Sequence, residues 1–527
     1  MQLRSAAGVV LAILAGCLAQ YSSAQSSAPS PPPGTPPAPP SPGTPINSSQ
    51  TPVPTEVLPL NGSYLTTKDQ ANGPTIIVNE HGEEVVINGL GWFGFNTGGT
   101  APLDLTKGTT ALSQDFNMIV WRMKMLGFNA IRLPFIFDSH WGLGLNPPTA
   151  LTRACVVPNV TGANSIDGSM IPPAFPNLPL GNTNSLPQAP PTVNEGICNY
   201  YMPADSTLTR FVWVVEQFIA QGFYVNLDYH GNKYTDSLGN AQGKLFIDLV
   251  NEPDGFGINW EAQPLLGYPG LKDLYLHTID ALYPICPSCI FLVEGTGQDK
   301  ICGNNWGNGF ATNQTLVKTV DVSDPTPFFR KVLQRPWLAQ LVIAPHFYCP
   351  GVSQATECYA GPTQWQGFDD TVGYLSVAPG FCDPNTKKCK VFSVIVDEFG
   401  STLNSTVETS CMTSIIAYMN AAPETGNNHA PMLSWYYWAW QPQSNGTGGM
   451  VGDDWTTIRW DKVNSLTGGT NDWPEGVGMA PWYLKAFNQT APTFAVSPLS
   501  NEPLNVTIVN TATPALPGIV RRRALSA

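Results

Sequence analysis

Charge is scarce in this sequence. Only 12% of its residues are Asp, Glu, Lys or Arg, about half the share of an ordinary soluble domain. The charge present leans acidic, 38 Asp and Glu against 25 Lys and Arg for a net charge of −13, which excludes the basic face that nucleic acid requires. No run beyond the first segment approaches the roughly 20 apolar residues that span a bilayer. No Gly-rich phosphate loop follows the first strand-like run, against a doubly wound nucleotide fold. Metal ligation is the alternative to a disulfide for Cys286-Pro-Ser-Cys289, but no second Cys or His pair of zinc spacing accompanies it; no metal or cofactor is expected. What is abundant is apolar and aromatic. With 43% hydrophobic residues and 15 Trp, the chain is no disordered polyelectrolyte. Its 527 residues suffice for one large domain or two medium ones, and 49 Gly and 50 Pro announce many loops.

Met1–Gln20 reads as a secretory signal, with Arg4, an apolar stretch from Ala6 to Ala19, and Ser22-Ser23-Ala24 as cleavage site. A lipobox-like Leu14-Ala15-Gly16-Cys17 is the rival reading. The expected product is extracellular, off the membrane after cleavage, and monomeric. The expected division is a signal over 1–24, a disordered Pro/Ser/Thr tract over 25–60, a folded domain over 61–490 and a disordered tail over 491–527. The tract should be an extended polyproline-II tail with no core of its own. Export makes disulfides the natural state of the ten cysteines from Cys155 to Cys411. Cys155–Cys198, Cys349–Cys358 and Cys382–Cys389 are the expected loop staples. Eight Asn-x-Ser/Thr sequons suit a glycosylated surface.

The middle of the chain alternates short apolar runs with segments of helical spacing. Strand-like runs are Ile87–Asn96, Phe128–Phe135, Phe223–Tyr229, Leu245–Val250, Ile290–Glu294, Leu341–His346, Val391–Val396 and Leu433–Trp440. Helical spacing falls over Ser113–Leu126, Thr207–Gln221, Leu271–Tyr283, Thr326–Gln334, Val407–Asn420 and Ala480–Phe487. Eight strands joined this way over about 400 residues predict an α/β fold, a (β/α)8 TIM barrel.

In such a barrel chemistry sits at the C-terminal strand ends. Those ends supply Arg132, His230, Asn251-Glu252-Pro253, Glu294, His346-Phe347-Tyr348, Glu398 and Trp438. Glu252 and Glu398 stand out because each directly follows an apolar strand. The chain holds its own control in Asn501-Glu502-Pro503, which has no strand before it. Glu294 reads as either functional or structural. Trp92, Trp141, Trp260 and Trp306 are candidates for further ligand-stacking positions, though Trp is core by default.

Asp248–Pro253 (DLVNEP), Pro345–Tyr348 (PHFY) and Asp397–Gly400 (DEFG) resemble the catalytic strands of glycoside hydrolase family 5, the cellulase family A. Trp435–Ile458 resembles the last-strand segment of its endo-β-1,4-glucanase branch. The resemblance runs from about Ile87 to Phe487. It implies a retaining glycosidase with a β-glucan substrate, secreted by virtue of the signal, with Glu252 as acid/base and Glu398 as nucleophile. It further implies supporting roles for Arg132, His230, Asn251, His346, Tyr348 and Trp438. Arg132 and Tyr348 would keep Glu398 ionised, and Asn251 would bond the 2-hydroxyl of the reacting sugar. Mannan, xyloglucan or β-1,3-glucan as substrate, or a non-catalytic carbohydrate-binding relative, are the alternatives.

Two departures from the family stand out. Asn251 comes only 21 positions after His230, so the crossover between strands three and four is too short for a normal packed helix. Conversely, Asp138–Pro203 is a long Pro-rich insertion after strand two that could wall the cleft.

Overall fold

The computed structural model describes residues 64–481 except 72, 98, 138–142, 145–147, 149, 156–169, 171–196, 231–243, 264–269, 299, 303–305, 319–320 and 356. The signal, the Pro-rich tract, the short crossover, most of the insertion, and the Ala480–Phe487 helix beyond Pro481 lie outside the described residues.

Eight parallel strands close into a barrel: β1 (Asn88–Gly91), β2 (Ala130–Phe135), β3 (Tyr224–Tyr229), β4 (Leu245–Asp248), β5 (Ile290–Val293), β6 (Leu341–Ile343 and His346–Tyr348), β7 (Ser393–Val394 and Val396–Gly400) and β8 (Trp435–Tyr437). Closure follows from the two split strands. The first half of β6 pairs with β5 and with Ser393–Val394, while its second half pairs with Val396–Gly400. Strand β7 then pairs with β8 and β8 with β1. The break in β6 falls at Pro345, which has no N–H to give the ladder. The remaining neighbours, β1 to β5, are paired in sequence order.

Helices follow the strands: α1 (Phe116–Met125), α2 (Thr207–Ala220), α3 (Leu271–Leu282), α4 (Thr326–Val332), α5 (Pro362–Thr371) and α6 (Thr406–Met419) between strands, and α7 (Trp460–Thr467) after β8. Three carry side-chain N-caps, with Asp115, Ser206 and Ser405 accepting from the backbone N–H three residues on. These satisfy donors that a helix start otherwise leaves open.

The two-residue period of the strands sorts the core into two bodies. Outward residues such as Ile131, Val225, Ile247 and Phe291 join the helices in one large cluster. Inward residues Ala130, Tyr224, Phe246, Leu292, Val342, Ile395 and Tyr436 fill the lower barrel. A hairpin, Leu65–Lys68 against Ile76–Asn79, plugs that end with Leu65 and Ile77. Gly89 is required here, since a Cβ would lie 2.1 Å from the Tyr436 ring. The next inward positions up, Arg132, Asn226, Asp228, Asp248 and Glu294, are polar yet fully buried.

All ten described cysteines pair, as Cys155–Cys198, Cys286–Cys289, Cys302–Cys358, Cys349–Cys411 and Cys382–Cys389. The expected Cys349–Cys358 staple is therefore wrong. Cys349 ends β6 and meets Cys411 on α6, while Cys358 reaches the β5–α4 loop at Cys302. Proximity in sequence misled because the strand ends and outer helices set the distances. The base of the insertion is tied down as well. Arg153–Ala154 pairs with Ile197–Cys198, and Asn199 and Tyr201 bond the Asp115 carboxylate that caps α1. Among the described residues no helix is long and apolar enough to cross a membrane.

Candidate active site

Arg132, from the inner face of β2, is the centre of the upper barrel. Its Nε donates to Asp397 at 2.9 Å, its Nη2 to Asp248 at 2.7 Å and Asn251 at 2.9 Å, and its Nη1 to Glu398. Asp228 lies 3.0 Å from Nη1. Burial alone would lower the guanidinium pKa, but Asp228, Glu398, Asp397 and Asp248 raise it well above its ordinary range. Four carboxylates around one cation is a costly arrangement to bury unless each charge is paired and bonded. Here Asn226 donates to Asp397 at 2.8 Å and His230 Nδ1 meets Asp228 at 2.6 Å. Burial raises the Asp397 pKa well above the carboxylate range. In Asp228, burial is outweighed by Arg132 and His230, and its pKa falls.

Glu398 stands on this base. A register shift in β7 between Val396 and Phe399 lets two consecutive carboxylates, Asp397 and Glu398, both reach Arg132. One Glu398 oxygen accepts from Arg132 and the other from the Tyr348 hydroxyl. Burial and the nearby Glu398 hold the Tyr348 hydroxyl well above its ordinary pKa, so it stays a donor.

Glu252 approaches from the end of β4. It has a left-handed backbone, φ 45°, just before a 3-10 turn over Pro253–Phe256, a conformation that costs a non-glycine residue energy and recurs at functional sites. Two partners hold it: its N–H donates to Glu294 Oε2 at 2.9 Å, and its Oε1 lies 3.0 Å from His346 Nδ1. One carboxylate oxygen each of Glu252 and Glu398 and one ring nitrogen of His346 all lie within 4.8 Å of one another.

Trp438 completes the wall. Its ring stacks on Phe93 at 5.6 Å and on His230 at 6.0 Å, with Arg132 5.8 Å from its centroid. Gly91 makes the room, since a Cβ there would fall 2.5 Å from the indole.

The structure thus brings together Arg132, His230, Asn251, Glu252, His346, Tyr348, Glu398 and Trp438. Of the further tryptophans, Trp92 and Trp260 are fully buried in the core, Trp306 is exposed and Trp141 lies outside the described residues. Sequence reasoning passed over Asp228, Asp248 and Asp397, although an Asp in each of the apolar runs YVNLDY, LFIDLV and FSVIVD was the available signal. It also passed over Asn308, whose amide clamps the backbone of His346 at 2.7 and 2.8 Å, and Phe93, which carried no signal. Two sets here have metal-like spacing, Glu252–His346–Glu398 and Glu294–His346–Asp397. A cation fits neither well. Both Glu398 oxygens already accept hydrogen bonds, and although burial opposes it, Glu294 and Glu398 raise His346 well above the usual imidazole range, favouring a proton over a metal.

No model of a known protein family matches the chain. The major extracellular endoglucanase of Xanthomonas campestris pv. campestris is 22% identical over 405 residues, 75% of this chain and 70% of that protein. An endoglucanase of Paenibacillus polymyxa is 26% identical over 432 residues, 79% of this chain and 89% of its own. Among solved structures, the catalytic domain of the major Xanthomonas endoglucanase aligns with a TM-score of 0.47 at 21% identity, covering 74% of this chain and 96% of the other. An endocellulase variant from Pyrococcus horikoshii in complex with cellotetraose also aligns with a TM-score of 0.47 at 21% identity, covering 76% and 97%. The two endoglucanase sequences thus resemble this chain over about three quarters of its length, in keeping with a cellulase family.

Proposed function

We propose that the protein is a secreted endo-acting glycosidase that cleaves β-1,4-glucan with retention of configuration. The observation that carries this reading is the facing pair Glu252 and Glu398, whose nearest oxygens fall within 4.8 Å at the C-terminal mouth of the barrel. That separation suits the roughly 5–5.5 Å of retaining enzymes and is short of the roughly 6.5–9.5 Å that leaves room for an inverting water. The endoglucanase relatives, one of them extracellular, support the substrate class and export.

On this reading Glu398, fixed by Arg132 and Tyr348, attacks the anomeric carbon while Glu252 passes its proton to the departing glycosidic oxygen. A glycosyl ester forms on Glu398. Glu252 then takes a proton from water, which attacks the same carbon and frees Glu398. Asn251 is oriented by Arg132 towards the 2-hydroxyl, and Trp438 offers a flat apolar face to the ring.

The test is hydrolysis of carboxymethylcellulose, mannan and laminarin by purified protein. Carboxymethylcellulose should be cleaved, with a loss of about 10²–10⁴-fold in Glu252→Gln and at least as much in Glu398→Gln. Early NMR spectra of cello-oligosaccharide products should show the β-anomer first. Glucan that binds without being cleaved would end the enzymatic reading, and preference for mannan or laminarin would move the substrate.

A further inference from the structure

Glu294 lies under this pair, yet neither proposed step uses it. It follows β5, is fully buried, and touches Glu252 by two routes. Its Oε2 accepts the Glu252 backbone N–H at 2.9 Å, and its Oε1 lies 3.2 Å from His346 Nε2. The other ring nitrogen of that histidine is the one 3.0 Å from Glu252 Oε1. The residue itself is gripped from both sides. The Tyr275 hydroxyl donates to its carbonyl at 3.0 Å and accepts its N–H at 3.1 Å. Gly307 presses from the β5–α4 loop, where a Cβ would sit 2.5 Å from Glu294 Oε2 and φ is +82°. That loop is in turn locked to Asp254, two residues beyond Glu252, which accepts from Gly307 N at 3.1 Å and Thr296 Oγ1 at 3.1 Å.

We infer that Glu294 is a positioning residue for the general acid, acting on Glu252 through its backbone and, by way of His346, through its carboxylate. The inference rests on the reading of Glu252 as acid/base. The geometry gives the division of labour. Glu294 holds the left-handed backbone of Glu252 by its N–H. It also fixes the plane of the His346 ring, so that Nδ1–H is aimed at Oε1. With Oε1 occupied as an acceptor, the transferable proton sits on Oε2. The charge arrangement agrees: burial would discharge His346, but Glu294 and Glu398 favour its protonated form. Arg132 Nη2, at 3.8 Å, is the other cation facing Glu294.

A residue serving only the acid is felt in proportion to the need for acid. Dinitrophenyl β-cellobioside has a leaving group that departs without a proton; cellotetraose does not. Glu294→Gln keeps the size and one acceptor oxygen but replaces the other oxygen with an amide NH2, so it cannot serve both the Glu252 N–H and His346. It should lose roughly 10- to 100-fold in kcat/KM on cellotetraose, part of what general acid catalysis supplies, and no more than about threefold in the glycosylation of enzyme by the dinitrophenyl substrate. Gly307→Ala, which pushes on Glu294 from the loop, should show the same selectivity at smaller amplitude, and carries the test alone if Glu294→Gln does not fold. Equal losses on both substrates would mean a merely structural role and overturn the inference. Glu252→Gln is the reference. If it shows the selective loss and neither other variant does, only the role of Glu294 falls. If wild type cleaves neither substrate, or Glu252→Gln shows no selectivity, the acid/base reading falls and takes this inference with it.

Discussion

At the scale of single residues, the few charges of this chain are concentrated where charge is most expensive. Arg132 and its carboxylates consume part of a small charged complement inside the barrel, where mutual bonding offsets desolvation. Glu216 on α2 shows the opposite case. Desolvation pushes its pKa up to about 7, and among the described residues its Oε1 has no hydrogen-bond partner. Because the folded pKa lies above the unfolded value, its favourable contribution is present below about pH 4.5 and is lost as pH rises through about 7. Glu216→Gln should therefore melt higher than wild type at pH 8, by ~1 kcal/mol after allowance for its partial exposure. The two should coincide at pH 4; calorimetry at both values checks this.

At the scale of elements, caps and cross-ties decide how well each helix is held. Ser405 caps α6 through one bond, to Glu408 N, so Ser405→Ala should cost ~1 kcal/mol. Asp115 does more. It caps α1 through Met118 N and also accepts from Tyr201 Oη and Asn199 N, anchoring the base of the long insertion. Asp115→Ala removes all three of these bonds and should cost about 2–3 kcal/mol by denaturant titration. The strands and most helices were legible because apolar runs and helical spacing alternate cleanly. Element ends were less so. The run Ile87–Asn96 shortens to Asn88–Gly91, with one further bridge from Phe95 to Phe135 of β2, and between them Phe93 turns to stack on Trp438.

At the scale of the molecule, two disulfides bind the strand-end loops and outer helices over long spans. Cys302–Cys358 and Cys349–Cys411 close 56 and 62 residues, whereas Cys286–Cys289 closes 3. On loop-closure grounds, removing either long pair as a double Ser variant should cost about 4 kcal/mol, against less than ~2 for the short one. Urea midpoints of the three double variants would check the order.

The alternation that makes a barrel and the polar residues at its strand ends were readable from the amino-acid order alone. Both are local properties, set by two-residue and 3.6-residue periods along one stretch of chain. The pairing of Cys349, the burial of Trp92 and Trp260, the gathering of three aspartates on Arg132 and the place of Glu294 under Glu252 were decided only in three dimensions. Each depends on which strand ends face one another across a closed sheet, and that distance is set by closure, not by separation along the chain. The scarcity of charge is the same fact at both levels. A chain that buries an ionic cluster at its centre has to surround it with apolar layers, and here the barrel supplies them below and the helices outside.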